Sequence, residues 1–175
     1  IVLILILWVV GSYNSLIRLD ETMNEKWANV QTAYQRRADL IPNLVETVKG
    51  YAAHESAIFK AVADARSAIF SARGPAQLNQ ASAGFESALS RLLAIAENYP
   101  NLKANENFLS LQDQLEGTEN RIKVERDIYN NAVKDYNIKV RRFPSNTIAG
   151  LFGFDLKEMF QAEQGVEVAP QVKFT

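Results

Sequence analysis

His54 is the single histidine of the chain, and with Glu55 behind it the pair opens as the helical HExxH zinc motif does. That motif needs a second imidazole one helical turn on, so that both nitrogens meet one cation; position 58 is Ile58. A di-iron bundle would instead require Glu-x-x-His, and the residue three before His54 is Tyr51. The absence of cysteine removes disulfides, thiol catalysis, iron-sulfur clusters and cysteine-ligated zinc together. No serine stands in a G-x-S-x-G elbow or three residues ahead of a lysine, so nucleophilic catalysis has no local support. Gly150 to Phe154 reads GLFGF, without the Lys-Ser/Thr and preceding strand of a phosphate loop. Carboxylates are scattered along the chain, and two meeting across a helical bundle would be the one route to general acid-base work. The reading is no catalytic residue, no cofactor and no metal site. His54 reads as a surface or hydrogen-bonded residue, with pH sensing as its functional alternative.

Charged clusters offer recognition rather than catalysis. Arg36, Arg37 and Asp39 stand together as a structural salt-bridge network, or else a partner contact. Between Arg121 and Arg142 lie seven basic residues (Arg121, Lys123, Arg126, Lys134, Lys139, Arg141, Arg142) against three acids (Glu125, Asp127, Asp135). That excess reads first as a solvated face whose last charges suit a helix C-terminus, and second as a site for anionic lipid or a partner. Thr22 and Glu25 have capping-box spacing inside a longer helical pattern, where they would cap nothing.

The elements that carry these groups begin with IVLILILWVV, ten apolar residues, and no charge appears before Arg18. As a helix the uncharged stretch 1–17 reaches about 26 Å, nearly the hydrocarbon thickness, and residues upstream would complete a span. Ile1, Leu3, Leu5, Leu7, Trp8, Val10 and Tyr13 are the expected membrane anchor, with Trp8 and Tyr13 suited to the interface. The alternatives are a signal-peptide core, for which no A-x-A-like site follows, and a buried core helix, which seldom stays uncharged on every face. With 19 basic and 20 acidic residues in 175, the chain lacks the basic footprint of a nucleic-acid binder, and 47% hydrophobic content is enough to bury a core.

Beyond the anchor, seven-residue spacing dominates. One series runs Leu16, Met23, Val30, Arg37, Leu44, Tyr51, Ile58, Ala65; its companion runs Trp27, Tyr34, Ile41, Val48, Glu55, Val62, Ile69. The pattern predicts a helix over 13–72, about 90 Å long, with a kink or break near Pro42 or Gly50. Gly74-Pro75 opens a second helix carrying Leu78, Phe85, Leu92 and Tyr99, which Pro100 closes. A third, over 102–142, carries Phe108, Leu115, Ile122, Tyr129, Tyr136 and Phe143. Short connections make neighbouring helices antiparallel. The apolar stretch 143–160, with Phe152, Phe154 and Phe160, is expected to fold back over one end of the bundle, or to contact a subunit or membrane. The last residues, 161–175, are expected to be an extended tail.

Four passages resemble the LemA family: YQRRADLIPNLV from Tyr34 to Val45, Tyr13-Asn14 after the apolar run, VKGYAAHE from Val48 to Glu55, and FPSNTIAGLFGF from Phe143 to Phe154. The resemblance covers essentially the whole chain. It implies a bacterial protein with an N-terminal transmembrane helix and an antiparallel helical bundle. It also implies association with envelope processes, and in one branch with magnetosome membranes, and no established catalytic residues.

The expected fold class is all-α: a transmembrane helix over 1–17 continuing into an elongated antiparallel bundle over 18–160, with three long helices and a short C-terminal helical segment. The expected function is a membrane-anchored, non-catalytic scaffold or adaptor of the bacterial inner membrane, self-associating, with its domain extracytoplasmic. The alternative is an accessory subunit of a membrane protease or other envelope enzyme. Expected partners are the lipid bilayer, further copies of the chain and another envelope membrane protein, with no nucleic acid. Residues for structural or partner contact are Arg36, Arg37, Asp39, Pro42, Phe152, Phe154 and Phe160.

Overall fold

The computed structural model describes residues 1–161, and every regular element among them is an α-helix. The expected extended tail, 161–175, lies outside the described residues except for Gln161. Helix α1 (Val2–Lys49) is 48 residues long, about 72 Å at the usual rise, and carries the apolar start and the first seam without interruption. Leu16, Met23, Val30, Arg37 and Leu44 are all buried along it, as are Tyr34, Ile41 and Val48.

The helix expected over 13–72 is two helices. The chain leaves α1 at Gly50, makes a tight turn in which the Tyr51 and Ala52 amides both donate to the Val48 carbonyl (3.0 and 2.9 Å), and starts α2 (Ser56–Ser71) at Glu55. Of the two punctuating residues, Gly50 marks the break and Pro42 does not. Reversal lets α2 bury Phe59, Val62 and Ile69 between α1 and the helix that follows α2, a face that one straight rod would leave in water. Tyr51 thereby leaves the seam and is exposed.

Gly74, at φ 92°, turns the chain into α3 (Pro75–Asn98), with Pro75 in the first turn where its missing N–H is harmless. One turn, α4 (Pro100–Lys103), leads into α5 (Glu106–Arg141), whose start is capped by Asn105 accepting from the Phe108 amide at 3.0 Å. The Asn105 amide also donates to the Tyr51 hydroxyl at 3.1 Å, fixing the start of α5 beside the end of α1. At the other end Trp27 meets Tyr129 with ring centroids 5.5 Å apart, so α5 runs antiparallel to α1 along most of its length. Helices α1, α2, α3 and α5 thus form an up-down-up-down bundle, a fourth long element beyond the three expected. Val30, Leu44, Val48, Leu92, Leu102 and Val133 are 0% exposed in its core.

The α5 seam is buried from Phe108 through Tyr136, but α5 ends at Arg141 and Phe143 is 80% exposed. The Ser145 hydroxyl shares its proton between the carbonyls of Lys139 (2.7 Å) and Arg142 (2.8 Å), turning the chain into α6 (Ser145–Phe152). Helix α6 ends at Gly153, whose φ of 73° is a left-handed cap that a side chain would strain. Residues 154–161 then run extended along the bundle.

Candidate functional site

Around Pro42 the chain solves a local problem by tertiary means. Proline has no N–H for the carbonyl four residues back, Ala38, which lies at a 1% exposed position. The Arg66 Nε–H from α2 donates to that carbonyl at 2.9 Å, while its Nη2 approaches Asp39 at 3.4 Å and its guanidinium sits 4.8 Å from the Phe70 ring centroid. The proline ring itself faces outward. One side chain therefore compensates the interrupted ladder and pairs the neighbouring carboxylate.

One turn earlier Arg37, 5% exposed, points into the bundle. Its guanidinium reaches Glu86 of α3 at 2.5 and 3.0 Å and Glu119 of α5 at 3.5 Å, and lies 5.8 Å from the Phe85 ring centroid. Its Nε has no hydrogen-bond partner among the described residues. Asp39 is not part of this group, having gone to Arg66, and Arg36 is exposed. A hydrogen bond from Lys123 (2.7 Å), with the charges of Arg37 and Lys123, holds the Glu119 carboxyl below the usual range against the opposing effect of burial. The two carboxylates that meet across the bundle thus meet on an arginine. Glu119, held ionised, is poorly suited to deliver a proton near neutral pH.

The opposite end is apolar. Ile1, Val2, Leu3, Ile4, Leu5, Ile6 and Leu7 are more than half exposed, and Trp8 and Val10 remain exposed at 38% and 51%. Packing begins at Val9 and Tyr13, which lie against a small cluster of Leu16, Ile148 and Ala149. Tyr13 stacks obliquely on Phe152 (4.9 Å) and meets Phe154 edge-on (5.8 Å), joining the N-terminal helix to the α6 turn. The α1 stretch beginning at Val2 is long and apolar enough to cross a membrane, and before Met23 its buried residues are Ser12 and Leu16 alone.

The extended segment after α6 is held by a device that the seven-residue seams did not reveal. The Asn137 amide donates to the Lys157 carbonyl and accepts from its N–H, both at 2.9 Å. Asn130 does the same for Phe160, at 3.1 and 2.8 Å. Seven helical residues advance about 10.5 Å and three extended residues about 10 Å, so asparagines two turns apart match main-chain groups three residues apart. Phe160, 5% exposed, fills the space between Trp27 (5.9 Å), Tyr129 (5.6 Å) and the Arg126 guanidinium (4.7 Å). The sequence signal was the repeated Tyr-Asn at 129–130 and 136–137, each pair one seam residue followed by one gripping residue.

His54 is exposed in the turn between α1 and α2. Among the described residues no three His, Asp or Glu side chains are placed to hold a metal ion. Thr22 donates to the Arg18 carbonyl at 2.8 Å within α1 and caps nothing.

A family model described as LemA family matches residues 26–174. Magnetosome proteins MamQ 1 and MamQ 2 of Paramagnetospirillum magneticum are each 30% identical over 175 aligned residues, covering 85% of this chain and 64% of theirs. Magnetosome protein MamQ of Magnetospirillum gryphiswaldense is 27% identical over 190, covering 91% of this chain and 70% of its own. The chain spans about two thirds of the length of these curated relatives (64% and 70%). Matched from Lys26 almost to its final residue, with the bundle and the Arg37–Pro42 segment inside the match, the chain belongs to the LemA family.

Proposed function

We propose that the chain is a membrane-anchored helical scaffold: the apolar start of α1 is rooted in the bacterial inner membrane, and the bundle stands on the extracytoplasmic side and associates with further copies. The observation that carries this reading is the continuity of α1. One unbroken helix passes from uncovered apolar residues at Ile1 to Leu7 into a buried seam that starts at Leu16, so whatever holds the apolar end fixes the position of the bundle. The magnetosome names of the relatives are in keeping with a membrane-associated role. Self-association is supported by Val124 and Ile128, one turn apart on α5 and exposed at 50% and 39%.

The test is the mass of the full chain in mild detergent, measured over a range of concentrations. The reading expects a discrete oligomer that Val124→Asp with Ile128→Asp converts to monomer while helix content is kept. A monomer throughout removes the scaffold by self-assembly. Protease digestion of intact and opened spheroplasts tests the side: an extracytoplasmic bundle is cut in both.

A second reading, an accessory subunit of another envelope protein, is favoured by Arg36 and Pro42, which lie in the family-matched segment yet are exposed. A photo-crosslinker at position 36 in native membranes distinguishes the two. Capture of only further copies of the chain disfavours the accessory role.

A further inference from the structure

Helix α6 is applied to the side of α1 at the level where protein packing gives way to bare apolar helix. Ser145, Ile148 and Ala149 face the bundle. Leu151, turned outward, is 74% exposed; Phe152 meets Tyr13 with one face yet is still 50% exposed, and Phe143, in the turn just before α6, is 80% exposed. Such a concentration of large apolar side chains in ten residues is costly to leave in water. From Tyr136 to Phe154 the chain carries Lys139, Arg141 and Arg142 and no acid. The nearest acids in sequence are Asp135 and Asp155, and Asp20 on α1 is paired with Lys157 at 3.5 Å. Apolar tips beside a cationic rim match the layered chemistry of a lipid surface, with acyl chains below and anionic headgroups above.

The height agrees. Tyr13 touches Phe152 and Phe154, and Val9 touches the cluster around Ile148. The first charge of α1, Arg18, is nine residues beyond Val9, about 13.5 Å along the helix, the depth of one polar layer, so that Ile1 to Val9, about 12 Å of helix, enter the hydrocarbon beneath it rather than crossing it. The strap leads away from this level: from Phe154 to Gln161 it advances about 23 Å up the bundle.

We propose that α6 and the Phe143 turn form an interfacial foot, with Phe143, Leu151 and Phe152 dipping into the acyl boundary of an anionic bilayer and Arg141 and Arg142 binding its headgroups. This rests on α1 being anchored in the bilayer. The foot gives the bundle a second point of attachment beside the anchor, so it stands at a fixed tilt and rotation instead of pivoting on one helix.

The chain has no cysteine, so single-cysteine variants each carry one nitroxide. Leu5→Cys, Leu151→Cys and Ala53→Cys, in the full chain reconstituted in phosphatidylcholine vesicles with and without phosphatidylglycerol, report contact with dissolved oxygen against a water-soluble nickel complex. The expected result is that labels at 5 and 151 favour oxygen, the second at shallower depth, while the label at 53 favours nickel. Arg141→Gln and Arg142→Gln should each lower lipid contact at position 151 about fivefold, and only with phosphatidylglycerol present. A label at 151 in water while that at 5 is in lipid overturns the foot and leaves the anchor standing. Both in water overturn the anchor. Spin-spin broadening at 151 assigns the patch to a second copy instead, and equal depth in both lipids overturns the anionic preference.

Discussion

Pro42 and Arg66 are best treated as one unit. The arginine donates to the Ala38 carbonyl that the proline leaves without its usual donor, so the cost of removing either depends on the other. Arg66→Leu should destabilise the chain by about 1 to 3 kcal/mol, the range for stranding a buried acceptor. In a Pro42→Ala background the restored N–H serves that carbonyl, and the same change should cost about half as much. A double-mutant cycle by urea denaturation in detergent measures the difference, and strict additivity would show that the two do not cooperate. Arg37 makes a different prediction. Removing both Glu86 and Glu119 leaves a buried cation without its acids, whereas Arg37→Met removes the charge and keeps much of the volume. The double Glu→Ala variant should therefore be the less stable by about 1 to 3 kcal/mol, discounted for carboxylates that are 44% and 40% exposed.

Among the elements, the strap over 154–161 tests the asparagine device. Asn130→Ala with Asn137→Ala should abolish hydrogen-exchange protection at the Lys157 and Phe160 amides while leaving α5 protected. Retained protection would mean that Phe160 in its aromatic socket holds the strap alone. The contrast between strap and helices shows what a sequence makes legible. Seven-residue seams placed Leu16 to Leu44, Leu78 to Leu92 and Phe108 to Tyr136 in the core, because burial of one helix stripe requires that period. The break at Gly50 instead of Pro42 was less legible, since the stabilising donor for Ala38 lies 28 residues away on a helix that exists only because the chain has turned. The strap was not legible by period at all. It is held through its main chain, which is the same for every residue type, and only the paired Tyr-Asn steps on α5 mark its track. At the candidate site, Arg37 and Asp39 were picked out as a charged group, but their partners on α2, α3 and α5 depend on the helix order.

pH and lipid are the two conditions that act on the protein as a unit. Burial raises the Tyr136 phenol above its ordinary value near 10, helped by the charges of Asp20 and Asp155, and burial and Glu158 do the same for Tyr129. Below about pH 10 both phenols are protonated whether the chain is folded or not, and their contribution to stability is fully present. As pH rises toward the folded values, the unfolded chain gives up protons that the fold retains, and that contribution is lost. Thermal unfolding should accordingly soften in alkali, and less so in Tyr136→Phe; identical curves would contradict the burial assigned to that ring.

In the function proposed above, the uncovered apolar start of α1 roots the bundle in lipid. Flotation of the full chain with vesicles after a high-salt, alkaline carbonate wash is the decisive experiment. The chain should float with the vesicles after the wash, and Leu3→Glu with Leu7→Glu should leave it at the bottom of the gradient, still helical. Wild-type chain remaining in the wash, freely soluble and folded, would contradict it.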